Sequence, residues 1–239
     1  MKIEECKECY LSEHQRFILK EIFKTDIKLN AFLTGGTCLA VFYLNHRKSK
    51  DLDIFFTKDI SLFHYIHKFR KLSSLALVEA SGFCSYESGS TKIDFVYDPL
   101  NIPNNFNYVK IDDVEIRLDT IDNIAKNKLK TLITRNEIRD LFDFGVLFTN
   151  YYTLSDFQKI YIKAFEQNDI YEDIMYLLGI FNTAVDKLIK NKEELLLKKS
   201  TNFNQVLEQL DETYKKLSTQ LIEINNIKFH TNTYKDPTL

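Results

Sequence analysis

The chain has 239 residues, 44% hydrophobic and 28% charged, which is close to globular averages and long enough to bury roughly 70% of the unfolded surface, so disordered, collagen-like and mini-protein architectures are excluded. Lys+Arg number 32 against 34 Asp+Glu, a net charge of −2, so a nucleic-acid contact would need a local basic patch rather than a global field. The N-terminus, Met1 to Cys6, carries two acids and no apolar run, and nowhere do about 18 consecutive apolar residues occur, so no signal peptide, no membrane association and a cytoplasmic location are expected.

In chain order, Cys6-Lys7-Glu8-Cys9 is half of a zinc motif. His64 and His67 lie too far downstream for a finger, whose His pair falls within about 15 residues of the second Cys, and a reduced surface pair is the better reading. Ser12-Glu13-His14-Gln15 reads as a capping box, and Phe17, Ile18, Ile22 and Phe23 then recur at helical spacing to about Lys24. Ala31-Phe32-Leu33 suits a buried strand ended by Gly35-Gly36, Thr37 to Tyr43 a compact helix, and Asp51 to Phe56 a strand. Asp59 to Lys71 places Leu62, Phe63, Ile66 and Phe69 on one helical stripe. Ala76 to Ala80, Phe83 to Glu87 and Thr91 to Tyr97 follow as strands with separators short enough for antiparallel hairpins. Tyr108 to Ile111 and Val114 to Leu118 form another hairpin, and Thr120 to about Thr134 a helix. From Tyr151 strand signals nearly vanish: Ser155 to Gln167, Tyr171 to about Lys190 and Asn202 to Asn226 carry apolar residues at helical spacing, with Pro absent until Pro237. The expected architecture is α+β, with a mixed sheet flanked by helices over 1–150 and a helical bundle over 151–239.

Three carboxylates carry the chemistry. Asp51 and Asp53 flank Leu52 on a strand, and alternation puts both on one face. Two close carboxylates repel unless a cation joins them, and Mg²⁺ favours a few carboxylates completed by waters and phosphate oxygens. Upstream, Leu33-Thr34-Gly35-Gly36-Thr37 runs from strand to glycines to helix and can offer backbone N–H groups and a hydroxyl to phosphate, while Asn45 to Lys50 is rich in donors suited to a triphosphate. In Lys92-Ile93-Asp94-Phe95, Lys92 and Asp94 share a face. Taken alone, Asp94 reads as a solvated residue paired with Lys92. If its strand lies beside the Asp51/Asp53 strand, three carboxylates converge, and such a triad can hold metal ions that activate a hydroxyl and stabilise a leaving pyrophosphate, with Asp94 also able to act as base.

These residues resemble the nucleotidyltransferase fold of polymerase-beta-like enzymes and, within it, the AbiEii toxin family. Gly36-Thr37, the spacer Cys38 to Lys50 and Asp51-Leu52-Asp53-Ile54 match the first motif, with Thr37 where the superfamily carries Gly or Ser; Arg47-Lys48-Ser49-Lys50-Asp51-Leu52-Asp53 matches the family's Arg-x-Ser-x-Asp-Leu-Asp. Lys92-Ile93-Asp94 resembles the third-carboxylate strand, and Lys128 to Leu132 with Arg135 and Arg139-Asp140-Leu141-Phe142-Asp143 the Lys helix followed by Arg-Asp-x-x-Asp. The resemblance implies an N-terminal nucleotidyltransferase fold in which Gly35, Gly36, Thr37, Arg47, Ser49 and Lys128 contact the NTP and Asp51, Asp53 and Asp94 bind Mg²⁺. Asp140 and Asp143 either order the site or pair structurally, the second being favoured. Arg135 and Arg139 could neutralise phosphate, although such arginines more often lie solvated on a helix.

The activity so implied is Mg²⁺-dependent transfer of a nucleoside monophosphate from NTP to an acceptor hydroxyl. The resemblance suggests RNA, particularly the 3′ end of tRNA, as acceptor, and a toxin of a toxin–antitoxin or abortive-infection system, with a cognate antitoxin protein as partner. Rival readings are transfer to a small molecule, which needs an enclosed pocket rather than a basic groove, and a non-catalytic nucleotide-binding or interaction module on a retained fold. Lys187, Lys190, Lys192, Lys198 and Lys199 could track an RNA backbone, although such runs are usually solvated faces.

Overall fold

The computed structural model describes residues 2–3, 11–59, 62–165, 170–198 and 201–232. Cys6, Cys9, Lys199 and Pro237 lie outside them. The backbone forms two compact units, Met1–Ile124 with Leu196–Lys198, and Ala125–Leu195 with Lys199–Leu239. The division falls inside a helix, N-terminal to the composition change near residue 150.

The first unit is built on one mixed sheet. Its strands are β1 (Lys2–Ile3), β2 (Ala31–Thr34), β3 (Leu52–Phe56), β4 (Leu75–Glu79), β5 (Phe83–Ser88), β6 (Thr91–Tyr97), β7 (Asn107–Ile111) and β8 (Val114–Leu118), in the spatial order β1-β7-β8-β2-β3-β6-β5-β4. The expected hairpins are present as antiparallel pairs of β4 with β5, β5 with β6 and β7 with β8. Short separators explain these pairs, whereas β3 with β6 and β2 with β8 run parallel and are joined through longer crossovers.

Helix α1 (Glu13–Phe23) opens with the expected capping box, Ser12 and Gln15 exchanging side-chain to backbone bonds of 3.1 and 3.0 Å. Its apolar stripe buries Ile18, Leu19, Ile22 and Phe23. A short α2 (Gly35–Cys38) continues as a π-helical stretch, Leu39–Leu44, which Asn45 ends in the left-handed region at φ 52°. α3 (Ile66–Leu72) packs Phe69 flat on Phe95 of β6, ring centroids 3.7 Å apart. β4 is the last strand in the sheet order and leaves Leu75, Leu77 and Val78 exposed.

The second unit is helical. It comprises most of α4 (Ile121–Thr134) with α5 (Ile138–Asn150), α6 (Leu154–Phe165), α7 (Ile170–Asn182), α8 (Ala184–Lys190) and α9 (Phe203–Asn232). Along α9, Leu210, Tyr214, Leu217, Leu221 and Ile224 recur at alternating spacings of four and three and are all buried. They face an aromatic core that includes Phe144, Phe157 and Phe181. No helix among the described residues is long and apolar enough to cross a membrane.

The seam between α5 and α9 depends on Gly145. A Cβ there would lie 2.6 Å from Leu210 Cδ2 and 2.9 Å from the Tyr214 hydroxyl, which itself donates to the Leu141 carbonyl. Valine is only a few tenths of a kcal/mol better than glycine in a helix, so overpacking decides the sign. Gly145→Val is expected to lower stability by about 2 kcal/mol, and an unchanged urea midpoint would show that the seam is looser than described.

Candidate active site

The strand alternation predicted for Asp51 to Phe56 is realised. Leu52, Ile54 and Phe56 are buried on one face of β3, while Asp51, just before the strand, and Asp53 are half-buried on the other. β6 lies beside β3 in parallel, with Leu52 opposite Ile93, Asp53 opposite Asp94 and Ile54 opposite Phe95. Register partners share a face, so Asp94 joins the two acids of β3. On the other flank Thr34 of β2 is opposite Asp53, and beyond β6 Ser85 of β5 is opposite Asp94. A polar row thus crosses four adjacent strands.

The outer members of this row are hydrogen-bonded. Ser85 Oγ donates to Asp94 Oδ1 at 2.5 Å, and Lys92 Nζ lies 2.7 Å from Asp94 Oδ2. The Lys92 pairing is the one the alternation of that strand suggests. Among the described residues, no group of three or more His, Cys, Asp or Glu side chains is gathered closely enough to hold a metal ion by itself. The donors nonetheless fit Mg²⁺, which typically takes one or two carboxylates and completes its shell with water and substrate phosphate. Asp51 and Asp53 could supply that pair, with Asp94 one strand away.

Directly beside Asp53 is the glycine turn. Gly35 has φ +69°, and a Cβ built on it would fall 1.9 Å from Asp53 Oδ2. Only glycine allows both that backbone and that approach. Gly35 and Gly36 are half-buried, but Thr37 is fully buried and its hydroxyl donates to the Asp51 carbonyl. Its side chain therefore fixes the start of β3 and is not presented as the hydroxyl expected for phosphate. Cys38 is sealed beneath the turn; burial, reinforced by the charges of Asp119 and Asp53, pushes its thiol well above the usual range, which keeps it unreactive.

The donor-rich loop from Asn45 to Lys50 is braced from both sides. Arg47 is 2% exposed, forms an antiparallel bridge with Leu197 and directs Nη1 to the Lys48 carbonyl at 2.9 Å. Lys48 N donates to Leu196 O, and Lys198 Nζ to the Asn45 carbonyl. Gln15 Nε2 of α1 donates to the carbonyls of Ser49 and Lys50, each at 3.0 Å. Arg47 and Ser49, expected among the phosphate donors, are both buried, because the returning segment 196–198 and α1 enclose them; Lys48 and Lys50 are the exposed cations of the loop.

A family model described as nucleotidyl transferase AbiEii toxin, type IV TA system, matches residues 18–224. The chain belongs to the AbiEii nucleotidyltransferase toxin family. The fold is also that of JHP933 from Helicobacter pylori, with TM-score 0.53, 18% identity, and 95% of this chain and 100% of that one covered. A second H. pylori structure gives TM-score 0.54 at 19% identity, covering 90% and 99%. MenT4, a nucleotidyltransferase toxin from Mycobacterium tuberculosis H37Rv, gives TM-score 0.50 at 12% identity, covering 85% and 81%. No curated protein matches the chain.

In this AbiEii-family chain the Lys128 helix and the Arg-Asp-x-x-Asp segment meet within the second unit. Lys128 is 7% exposed, and its ammonium lies 2.7 Å from both Asp140 Oδ1 and Asp143 Oδ2. Arg135 Nε adds a bond of 2.6 Å to Asp140 Oδ2. The buried ammonium thus meets both buried carboxylates, as burial of charge demands, and the half-exposed Arg135 adds to Asp140. This supports the pairing role favoured for Asp140 and Asp143. Lys128 is held between them, so a nucleotide contact by its ammonium would have to compete with two carboxylates. Burial alone would raise the Asp140 carboxyl, but the charge of Lys128 and the bonds from Arg135 and Lys128 outweigh it and hold it below the usual carboxylate range. Of the expected RNA-tracking lysines, Lys190 and Lys192 are exposed, and Lys192 sits 4.8 Å over the Phe203 ring.

The sequence reading missed Asp119, Thr34, Gln15 and Ser85. Gln15 serves the capping box of α1 and also reaches the loop at Ser49 and Lys50, while Asp119, just before the cap residue Thr120 of α4, reaches Thr34.

Two tests follow the geometry. Gly35→Ala should lose about 1–2 kcal/mol from its left-handed backbone plus the clash with Asp53. In an Asp53→Ala background the clash part should vanish, and additive losses in the double variant would rule out the contact. Asp140→Asn leaves a buried cation under-paired and should lose on the order of 3 kcal/mol at neutral pH. Because the Asp140 carboxyl is depressed, its stabilisation is complete above the ordinary carboxylate range and fades as pH falls below about 4. Thermal midpoints of wild type and variant should converge there; a gap constant from pH 7 to pH 3 would contradict it.

Proposed function

We propose that this chain transfers a nucleoside monophosphate from an NTP to an acceptor hydroxyl, with Asp51 and Asp53 as Mg²⁺ ligands and Asp94 as third ligand or base. The observation that supports this best is the register of Asp53 with Asp94 on one sheet face, with Gly35 pressed against Asp53. Glycine turns that precede a helix offer unhindered backbone N–H groups to phosphate, and Gly35 and Gly36 are the partly accessible residues of this one. Lys48 and Lys50, exposed beside the start of β3, suit the β- and γ-phosphates.

Bound Mg²⁺ would supply charge neutralisation for the α-phosphate and the departing pyrophosphate. The residues of this chain do the rest by positioning: they hold the triphosphate so that the acceptor oxygen attacks the α-phosphorus in line, the new P–O bond forms and pyrophosphate leaves. Asp94 can take the acceptor's proton once Lys92 swings away, and Lys92, with its side chain 45% exposed, can do so without disturbing the core. The family's description as the toxin of a type IV TA system supports a cognate antitoxin as partner, and the acceptor we propose is RNA, tRNA 3′ ends in particular.

The test incubates purified protein with Mg²⁺, each labelled NTP in turn and total RNA, beside an Asp51→Ala/Asp53→Ala variant, and follows label on a denaturing gel. Label is expected in a tRNA-sized band with wild type and none with the variant, whose thermal midpoint should stay close to wild type because neither acid is buried in the core. Equal labelling by the variant would end the mechanism, and label confined to low-molecular-weight products would replace the acceptor.

A further inference from the structure

Asp119 follows the last residue of β8 and is completely buried. A buried carboxylate persists only where donors replace its water. Two of its donors are local: Thr120 N reaches Oδ1 at 2.7 Å, and Asn123 Nδ2 lies 3.0 Å from each oxygen. The cap of α4 itself is Thr120, whose Oγ1 accepts from Asn123 N at 3.2 Å. Another donor to Asp119 comes from the neighbouring strand β2, close in space but remote in sequence: Thr34 Oγ1 donates to Asp119 Oδ2 at 2.5 Å, across 85 positions of sequence.

Thr34 is the register partner of Asp53 and the residue immediately before Gly35. It occupies the N-cap of α2, yet its side chain caps no backbone N–H there, since the hydroxyl is turned to Asp119. The main chain of Asp119 grips the same segment on both sides of the glycines. Its N–H donates to Leu33 O at 2.8 Å, and its carbonyl accepts from the Tyr43 hydroxyl near the end of the π-helical stretch. Asn107 Nδ2 in turn holds the Tyr43 oxygen at 2.8 Å. One residue therefore clamps the strand that enters the glycine turn and the helix that leaves it.

We infer that Asp119 is a positioning residue of the active site: through Thr34 it fixes the Gly35 turn against the Asp53 carboxylate, without itself touching nucleotide or metal. Its consequence for turnover rests on the nucleotidyl-transfer reading; its effect on the turn does not. The pair is tested best from the threonine, because Thr34→Val keeps the shape and removes the hydroxyl, whereas Asp119→Asn could unfold the unit.

Hydrogen exchange on the full chain, read by mass spectrometry, reports the turn directly. In Thr34→Val, peptides spanning 35–44 should exchange faster by about tenfold or more, the factor carried by a hydrogen bond to a charged group, while peptides spanning 83–97 keep their protection. Thr34→Ser should restore wild-type exchange. In the labelling assay, Thr34→Val should lower kcat by about tenfold with KM for NTP little changed, and Thr34→Ser should recover it. Unchanged exchange at 35–44 in Thr34→Val overturns the inference whether or not the protein transfers nucleotides. Uniformly raised exchange across the sheet overturns it too, since Asp119 would then be a general stability residue, as does faster exchange at the turn with wild-type kcat. A wild type that transfers no label defeats the nucleotidyl-transfer reading instead, and the exchange arm still decides whether Asp119 fixes the turn.

Discussion

The parallel pairing of β3 with β6 is the constraint on which the rest depends. Asp53 stands opposite Asp94 because the buried residues on either side, Leu52 with Ile93 and Ile54 with Phe95, match across the same two strands. A slip of one residue would turn the acids into the core and the core residues toward solvent. The hydrophobic face therefore enforces the polar one. Phe69 of α3, stacked on Phe95, adds to the cost of any slip. The geometry of the acids is thus set by packing beneath them, so that like charges are held close where their mutual repulsion alone would separate them.

Both units bury charge, and both do so with little left to chance. In the second, the Lys128 ammonium meets both Asp140 and Asp143, and Arg135 pairs with Asp140. In the first, Asp119 is met by hydroxyl and amide donors. The difference matters physically. An ion-paired cluster tolerates small shifts because Coulomb attraction falls slowly with distance, whereas a carboxylate held by short directional bonds loses much of their strength when the donors turn away. Rigid geometry is supplied by the second kind, and it is the second kind that lies one residue from the glycine turn.

Much of this was legible in the sequence, and the limits have physical causes. The period-two alternation around Asp53 and Asp94, the Gly35-Gly36 break and the Ser12 capping box each declare themselves within a few residues, and the structure realises each. The mixed sheet followed by helices was likewise readable from where strand signals stop. The burial of Arg47 and Ser49 is not legible, because their enclosure depends on Leu196 and Leu197, far down the chain, and on Gln15, whose amide looks fully used in its cap. Thr37 presents a hydroxyl in the right motif, but nothing local says that it turns inward to Asp51. Asp119 is the same case: it stands between a strand and a helix with nothing local to mark it, and Thr34 is too remote in sequence to suggest the bond.

The return of residues 196–198 to the first unit has a consequence for the order of synthesis. Lys198 bonds to the carbonyl of Asn45 across 153 positions, and Leu197 supplies the bridge to Arg47. At about 5–20 residues per second on the ribosome, roughly 8–30 s separate the two sides of this contact. The sheet can assemble around its own hairpins meanwhile, but the loop that feeds into Asp51 remains open on one side until residues 196–198 have been made. A nascent chain therefore carries its acids early and their brace late, and the loop closes only after the second unit's first five helices have been made.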